Sequence, residues 1–379
     1  MNPPRFFSFL GKPDNSEKAG TESGENEIQC ELCPRRCIIA SGNAGRCKVR
    51  VNSGGKAEIP FYGFITALAV DPIEKKPLYH FRPGSDILSV GFAGCNLHCP
   101  FCQNWHISQI NSSKITDNRG TIYTSSDLIN EVIAYGSEAA AHDTAAMQSI
   151  AAMRSIAYTY SEPLVHIEFL LDCMQEAHRS GIANVLVSNG CINSEAADEV
   201  LSLTDAANID LKCFSKETYK NILGGDLSTV LGFIRKAVDR GIHVELTTLV
   251  VPGLNDSIAE LDKCRDFISE LETKGKTIPW HLSAYHPAHK WDAPATNPHI
   301  LIATAARARE KLEFVYSGNI ALRNDEQNFN DTFCLHCRKI LIKRRGYKVT
   351  APGLILEEKN ENGSYFCGHC GKETPVRWI

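Results

Sequence analysis

Cys95, Cys99 and Cys102 follow directly on an apolar run that ends at Phe92, separated by three and then two residues. No other stretch constrains the fold as much. A strand must deliver the chain to one point, and a short loop must then turn so that three thiols face a common centre. Two further groups flank this one: Cys30, Cys33, Cys37 and Cys47 before it, and Cys334, Cys337, Cys367 and Cys370 after it. Only Cys173, Cys191, Cys213 and Cys264 are scattered. A chain of 379 residues needs no disulfide staples, and its fifteen cysteines, an odd number, cannot all pair. Short spacers between thiols therefore read as metal sites in a reducing compartment, which places the protein in the cytoplasm.

The remaining composition is that of an ordinary globular protein: 43% hydrophobic, 22% charged, formal net charge −4. It excludes a wholly disordered chain, a collagen and a coiled-coil rod. No apolar run reaches the ~18–20 residues of a membrane helix. The near-neutral balance argues against a generic nucleic-acid binder, although a local basic patch stays open.

Residues 1–27 read as a loose arm. A short apolar patch, Phe6–Leu10, precedes a polar stretch too poor in apolar surface to offset its ordering entropy. No signal-peptide cleavage pattern follows the patch. A Cys-rich segment occupies 28–84, and from about 85 strand and helix signals alternate. Strand candidates are Ile87–Phe92, Ser155–Tyr160, Ala183–Ser188, Ala207–Leu211, Val244–Val251, Trp280–Tyr285 and Glu313–Tyr316. Pro163 opens one intervening helix and Gly181 closes it. Ser257 with Glu260 forms a capping box for another, running to about Lys274. This alternation predicts an α/β fold of parallel βα units, a full or partial barrel over 85–325, with chemistry at the C-terminal strand ends. Residues 136–153 are rich in Ala and Met and read as an extended helix or surface insertion. From 326 to 379 short Cys pairs and basic residues indicate a small zinc-ribbon-like appendage.

Three thiolates can hold three corners of a cubane iron–sulfur cluster, leaving one iron open to a ligand. A zinc ion completed by His98 or His106, or a redox thiol cluster, fits the same spacing.

Cys-x3-Cys-x2-Cys with an aromatic, Phe101, before the last cysteine resembles the signature of the radical SAM superfamily. The run Cys99–Gln109 resembles a branch related to the pyruvate formate-lyase activating enzymes and named for the AmmeMemoRadiSam system. So do Ala157–Pro163, Ser188–Gly190, Ile209–Lys212, Thr247–Asp256 and Val315–Asn319, in order, along roughly residues 28–379. The resemblance implies a partial (β/α)6-type TIM barrel. It implies a [4Fe-4S] cluster on Cys95, Cys99 and Cys102 whose open iron chelates S-adenosylmethionine (SAM). Reduction then splits SAM to a 5′-deoxyadenosyl radical that takes hydrogen from a substrate. It further implies a reductant such as flavodoxin or ferredoxin, and an association with Memo-type and AMMECR-type proteins.

The family's Gly-Gly-Glu-like segment corresponds to Tyr160, Ser161 and Glu162, where the glycines are missing. Glu162 suits a SAM ammonium through a charge-assisted bond, or caps the following helix. Asp210 and Lys212 share one face of a strand, while Ile209 and Leu211 face the other way. The resemblance assigns that pair to the methionyl carboxylate; an internal ion pair is the plainer alternative. Ser188 and Asn189 end the third strand beside either the cofactor or a mere turn. His286 lies in a strand-end turn and is implied to approach the SAM ribose. His281 reads as easily as a core histidine. Val250, Val251 and Pro252 contact adenine or pack the barrel.

Cys334, Cys337, Cys367 and Cys370 form two Cys-x2-Cys knuckles, which point to structural Zn2+. Cys30, Cys33, Cys37 and Cys47 suit zinc or an auxiliary iron–sulfur cluster, because a nine-residue spacer fits either. The scattered four read as small core hydrophobes. The basic run 338–348 is a solvated face or a contact for RNA or an acidic partner. The reading from another class is a non-catalytic zinc scaffold.

Overall fold

A computed structural model describes residues 3–9, 26–110, 120–142, 154–272, 276–320, 327–356 and 364–377. Seven of its apolar runs lie side by side as parallel strands: Asp86–Phe92 (β1), Ser155–Thr159 (β2), Ala183–Ser188 (β3), Ala206–Asp210 (β4), His243–Val250 (β5), Trp280–Ala284 (β6) and Val315–Gly318 (β7). Each pairs with the next in sequence. Parallel neighbours require a crossover. Here helices supply it: Ser125–His142 (α1), Ile167–Arg179 (α2), Ser194–Leu201 (α3), Leu227–Asp239 (α4), Ile258–Leu271 (α5) and Pro298–Ala308 (α6). The result is six strand–helix units and a final strand, as the (β/α)6 expectation required. An antiparallel strand, Phe64–Pro72, flanks β1, and β7 forms the far edge of the row. Among the described strands the row does not close.

Local chemistry sets these elements. Pro163 opens a 3-10 turn, Pro163–His166, that leads into α2, and Glu162 caps it by accepting from the Leu164 amide at 3.1 Å. Along α2, Ile167 to Leu171 are all buried, so its first turn is enclosed, and Cys173, Met174 and Ala177 carry the buried face on towards its end. Ser257 accepts from the Glu260 amide at the start of α5, so half of the expected capping box is formed. Cys173, Cys191, Cys213 and Cys264 are all buried and serve as core hydrophobes. Val250 and Val251 are fully buried as well.

The sheet's inner face is polar. Glu245 on β5 is buried and accepts from His243 (2.9 Å) and His281 (2.6 Å), as well as from the Tyr79 and His80 amides. Residues 79–80 thus tie the chain before β1 to the inside of the sheet. The last strand, Glu373–Arg377, joins the same segment: Arg82 donates to the Arg377 carbonyl, and the Arg377 amide to His80.

Around this core, the segment 28–84 contributes small hairpins and, through Phe64–Pro72, a strand of the main sheet. Most of the arm 1–27 lies outside the described residues, but Phe7–Phe9 pairs antiparallel with Ile28–Cys30. Phe6 and Phe7 pack against the core, while Phe9 is exposed. Residues 143–153 also lie outside the described residues, whereas 136–142 end α1. The appendage consists of two three-stranded sheets. No described helix is long and apolar enough to cross a membrane.

His166 is buried, with Nε2 2.6 Å from the Ala93 carbonyl oxygen, and burial pushes its pKa down to about 4. The unfolded chain binds this proton near pH 6.5. The fold's preference for neutral imidazole therefore contributes fully above that pH and is lost as pH falls towards 4. About 3 kcal/mol of stability should disappear over that window. Urea midpoints at pH 7.5 and 5 should converge in a His166→Gln variant relative to the parent.

Candidate active site

The cysteine loop springs from the C-terminal end of β1. Gly94 makes the turn at φ +77°, where a side chain would lie 2.4 Å from the Cys47 carbonyl oxygen, so only glycine fits. Leu97 and Phe101 are buried and press the loop onto the sheet end. The His98 amide donates to the Leu223 carbonyl (2.8 Å), and the Gly94 amide to that of Ile107 (2.9 Å). The three thiols stay only partly buried on this fixed loop. Neither histidine completes a zinc site with them among the described residues. His106 is exposed, and His98 Nε2 accepts from Arg46.

The neighbouring strand ends present charge to the loop. Burial pushes the Cys95 thiol well above its usual range, and Glu162 adds to the shift. Burial likewise pushes Cys99 up to about 11, against the pull of Lys212 and with a further push from Cys102 and Asp210. Lys212 and Asp210 pair at 2.9 Å. Burial alone would lower the Lys212 ammonium, but Asp210 and Cys99 outweigh it and hold it well above its usual range.

Glu162 is buried and binds the next strand end: Oε1 accepts from Ser188 Oγ (2.7 Å) and Oε2 from the Asn189 amide (2.9 Å). Burial raises its pKa to about 7 despite these donors. Asn189 Nδ2 lies 3.7 Å from Cys95 Sγ and 2.9 Å from Asn96 Oδ1. The structure therefore brings Glu162, Ser188 and Asn189 to Cys95, and Asp210 and Lys212 to Cys99.

The remaining residues are placed differently. Ser161 Oγ donates to the Phe92 and Gly94 carbonyls. Tyr160 directs its hydroxyl to Asp71 (3.2 Å) and Lys76 (2.8 Å). Its φ of +22° is in the glycine-favoured region, which is where the related pattern has glycine. His286 is exposed, in a loop that reaches the cysteines through the Lys290 amide on the Pro100 carbonyl (2.8 Å) and His289 stacked on Trp105.

A cleft of about 870 Å³ opens from Gln103, the residue after Cys102, past His281, Ser283 and Tyr79 to Arg344 and Tyr347 of the appendage. Arg344, at the centre of the basic run, is buried and donates to the Tyr79 carbonyl (2.6 Å) and to Thr332 (2.8 Å). The basic run is therefore not one solvated face. The sequence reading missed Glu245 and Asn96. A charge at an inward position of a parallel strand could have flagged Glu245.

The sequence pattern of the radical SAM superfamily matches residues 89–264, from β1 and the cysteine loop into α5. The chain belongs to the radical SAM superfamily. This radical SAM enzyme is 34% identical over 354 residues to an uncharacterised protein of Methanocaldococcus jannaschii, covering 93% of this chain and 96% of that one. It is 25% identical over 209 residues to the pyruvate formate-lyase-activating enzyme of Staphylococcus epidermidis, covering 52% of this chain and 74% of the relative. A radical SAM methyltransferase from Sphaerobacter thermophilus, at 14% identity, aligns with a TM-score of 0.46 over 79% of this chain and 74% of that one.

Membership implies a [4Fe-4S] cluster and SAM, cleavage of SAM, and a reductant of the flavodoxin kind. The loop fits the cluster: among the described residues it offers three cysteines and no closed four-ligand set. The C-terminal cysteines differ. Cys334 and Cys370 sulfurs are 3.7 Å apart and those of Cys337 and Cys367 are 3.6 Å apart, all four lying within 4.8 Å of one another. Thiolates about 2.3 Å from one tetrahedral ion lie about 3.8 Å apart. This radical SAM enzyme therefore carries a four-cysteine group able to hold a single metal ion.

Proposed function

We propose that this radical SAM enzyme abstracts hydrogen from a polypeptide substrate seated in the cleft beside Gln103, as a glycyl-radical-activating type of enzyme. The cluster on Cys95, Cys99 and Cys102 supplies the electron that splits bound SAM. Glu162 accepts from the SAM ammonium with the lone-pair capacity left by its three protein donors, and Ser188 and Asn189 hold it in place. Asp210 and Lys212 meet the methionyl carboxylate. Tyr160 and Ser161 set the backbone between them, and His286 approaches the ribose from its loop. Zn2+ binds Cys334, Cys337, Cys367 and Cys370 and fixes the appendage that walls the cleft. The protein works in the cytoplasm with flavodoxin or ferredoxin, and its partners are Memo-type and AMMECR-type proteins.

The observation that carries this reading is the cysteine loop flanked by Glu162 and by the Asp210–Lys212 pair, with an open cleft starting at Gln103. The cleft's size suits a chain segment. The test is anaerobic incubation of the reconstituted enzyme with reductant, SAM and each candidate partner protein. A carbon-centred radical signal on a partner chain, with stoichiometric 5′-deoxyadenosine, is expected. A modified small molecule or nucleoside in the mass spectrum, with no radical on protein, favours the other substrate class.

Glu162→Gln should weaken SAM binding by tenfold or more, since hydrogen bonds to charged groups are worth about 1.5–3 kcal/mol. Titration calorimetry on the reconstituted variant checks this, and unchanged affinity would remove Glu162 from the SAM site.

A further inference from the structure

The N-terminal cysteines adjoin the catalytic loop. We propose that Cys30, Cys33, Cys37 and Cys47 hold a second four-iron, four-sulfide cluster beside the catalytic one. The inference rests on its own geometry and does not depend on the substrate reading.

All four cysteines line one cavity. That is not how four ligands of a single ion stand. The C-terminal group shows the single-ion arrangement in the same chain, with sulfurs 3.6 and 3.7 Å apart. Among the described residues, no three of the N-terminal sulfurs close to that spacing, and the catalytic triplet does not either. A cubane carries its thiolates on four separate corners, roughly 6 Å apart, and fills the space between them with iron and sulfide. The N-terminal group thus shares the open spacing of the cluster loop.

The walls suit an anionic guest. Arg35, Arg46 and Arg50 line the cavity. Arg50 is 1% exposed, and its Nε has no hydrogen-bond partner although both terminal nitrogens are used. A buried donor left open at a cavity wall calls for an acceptor inside, and cluster sulfur is one. The Arg46 amide already donates to Cys37 Sγ at 3.5 Å.

The site also touches the catalytic loop. Asn96, the residue after Cys95, lines the cavity, and its carbonyl accepts from Arg35 Nε at 3.3 Å. Its side chain accepts from Asn189 at 2.9 Å. One residue therefore forms a wall of both sites.

The test is metal and sulfide analysis of the full chain after anaerobic reconstitution with iron, sulfide and zinc. About eight iron, eight sulfide and one zinc per chain are expected. About four iron with two zinc, or four iron with the N-terminal thiols open to alkylation, overturns the proposal. A Cys95→Ala/Cys99→Ala/Cys102→Ala variant separates it from the catalytic reading. It should keep about four iron and a reduced-cluster resonance signal. Loss of all iron there overturns the second cluster even where the parent cleaves SAM. A Cys33→Ala/Cys37→Ala variant, at two partly exposed positions, should lose half of the parent's iron while retaining a signal that SAM perturbs. Full iron in that variant overturns the assignment.

Discussion

Alanine at any one of Cys95, Cys99 or Cys102 is expected to bring 5′-deoxyadenosine formation below detection. With only three protein ligands on the loop, none is spare. The cause should be chemical and not a failure to fold. The loop is held by Leu97, Phe101 and backbone bonds to Leu223 and Ile107, not by its partly exposed thiols. The metal-free variants should therefore still fold, losing about 1 kcal/mol, the usual size for a point substitution. Cys264→Ala, a buried change remote in role, should lose stability yet still form the product. Liquid chromatography of anaerobic mixtures reads the product, and urea titration reads the stability. An active Cys99→Ala variant would rule out the assigned ligand set.

Replacing Arg50 by Met should destabilise the protein by about 3–5 kcal/mol, the usual result of leaving one buried charge without its partner. Arg50 binds Glu168 on α2 through two bonds of 2.9 and 3.0 Å, and each side chain is 1% exposed. Glu168 also accepts from the Arg5 amide at 2.8 Å. This pair fastens the N-terminal cysteine segment to the barrel helix, so its loss should loosen residues 28–58 first. The double variant Arg50→Met/Glu168→Leu should recover part of the loss, because no unpaired charge then remains inside. Urea midpoints of the three proteins measure it. A double variant no more stable than Arg50→Met would show that shape, and not charge, sets the cost.

Sequence periodicity located the seven parallel strands to within a residue or two, because each is a short apolar run between turn signals. Helix ends at Ser257 and Pro163 were equally legible, since capping is a local property. What escaped was non-local. Phe64–Pro72 joins the sheet between β1 and Thr121–Ile122, partners far from it in sequence. Glu245 is explained only when residues 79–80 arrive from 165 positions away or more. Tyr160 in the site motif sends its hydroxyl to Asp71, 89 residues earlier, which its neighbours in sequence could not announce. Within the site, the nearness of Glu162 to Cys95 and of Asp210 and Lys212 to Cys99 needed the fold. The N-terminal cysteines marked the limit most clearly: their spacers suit zinc and iron–sulfur alike, and only the cavity they enclose separates the two.

Every role assigned to the cysteine loop depends on SAM cleavage by this chain. Anaerobic reconstitution with iron and sulfide, then reduction in the presence of SAM, tests it most directly. Iron and sulfide incorporation with 5′-deoxyadenosine and methionine formed in equal amounts is the result predicted. A protein that takes up only zinc and leaves SAM intact would contradict it.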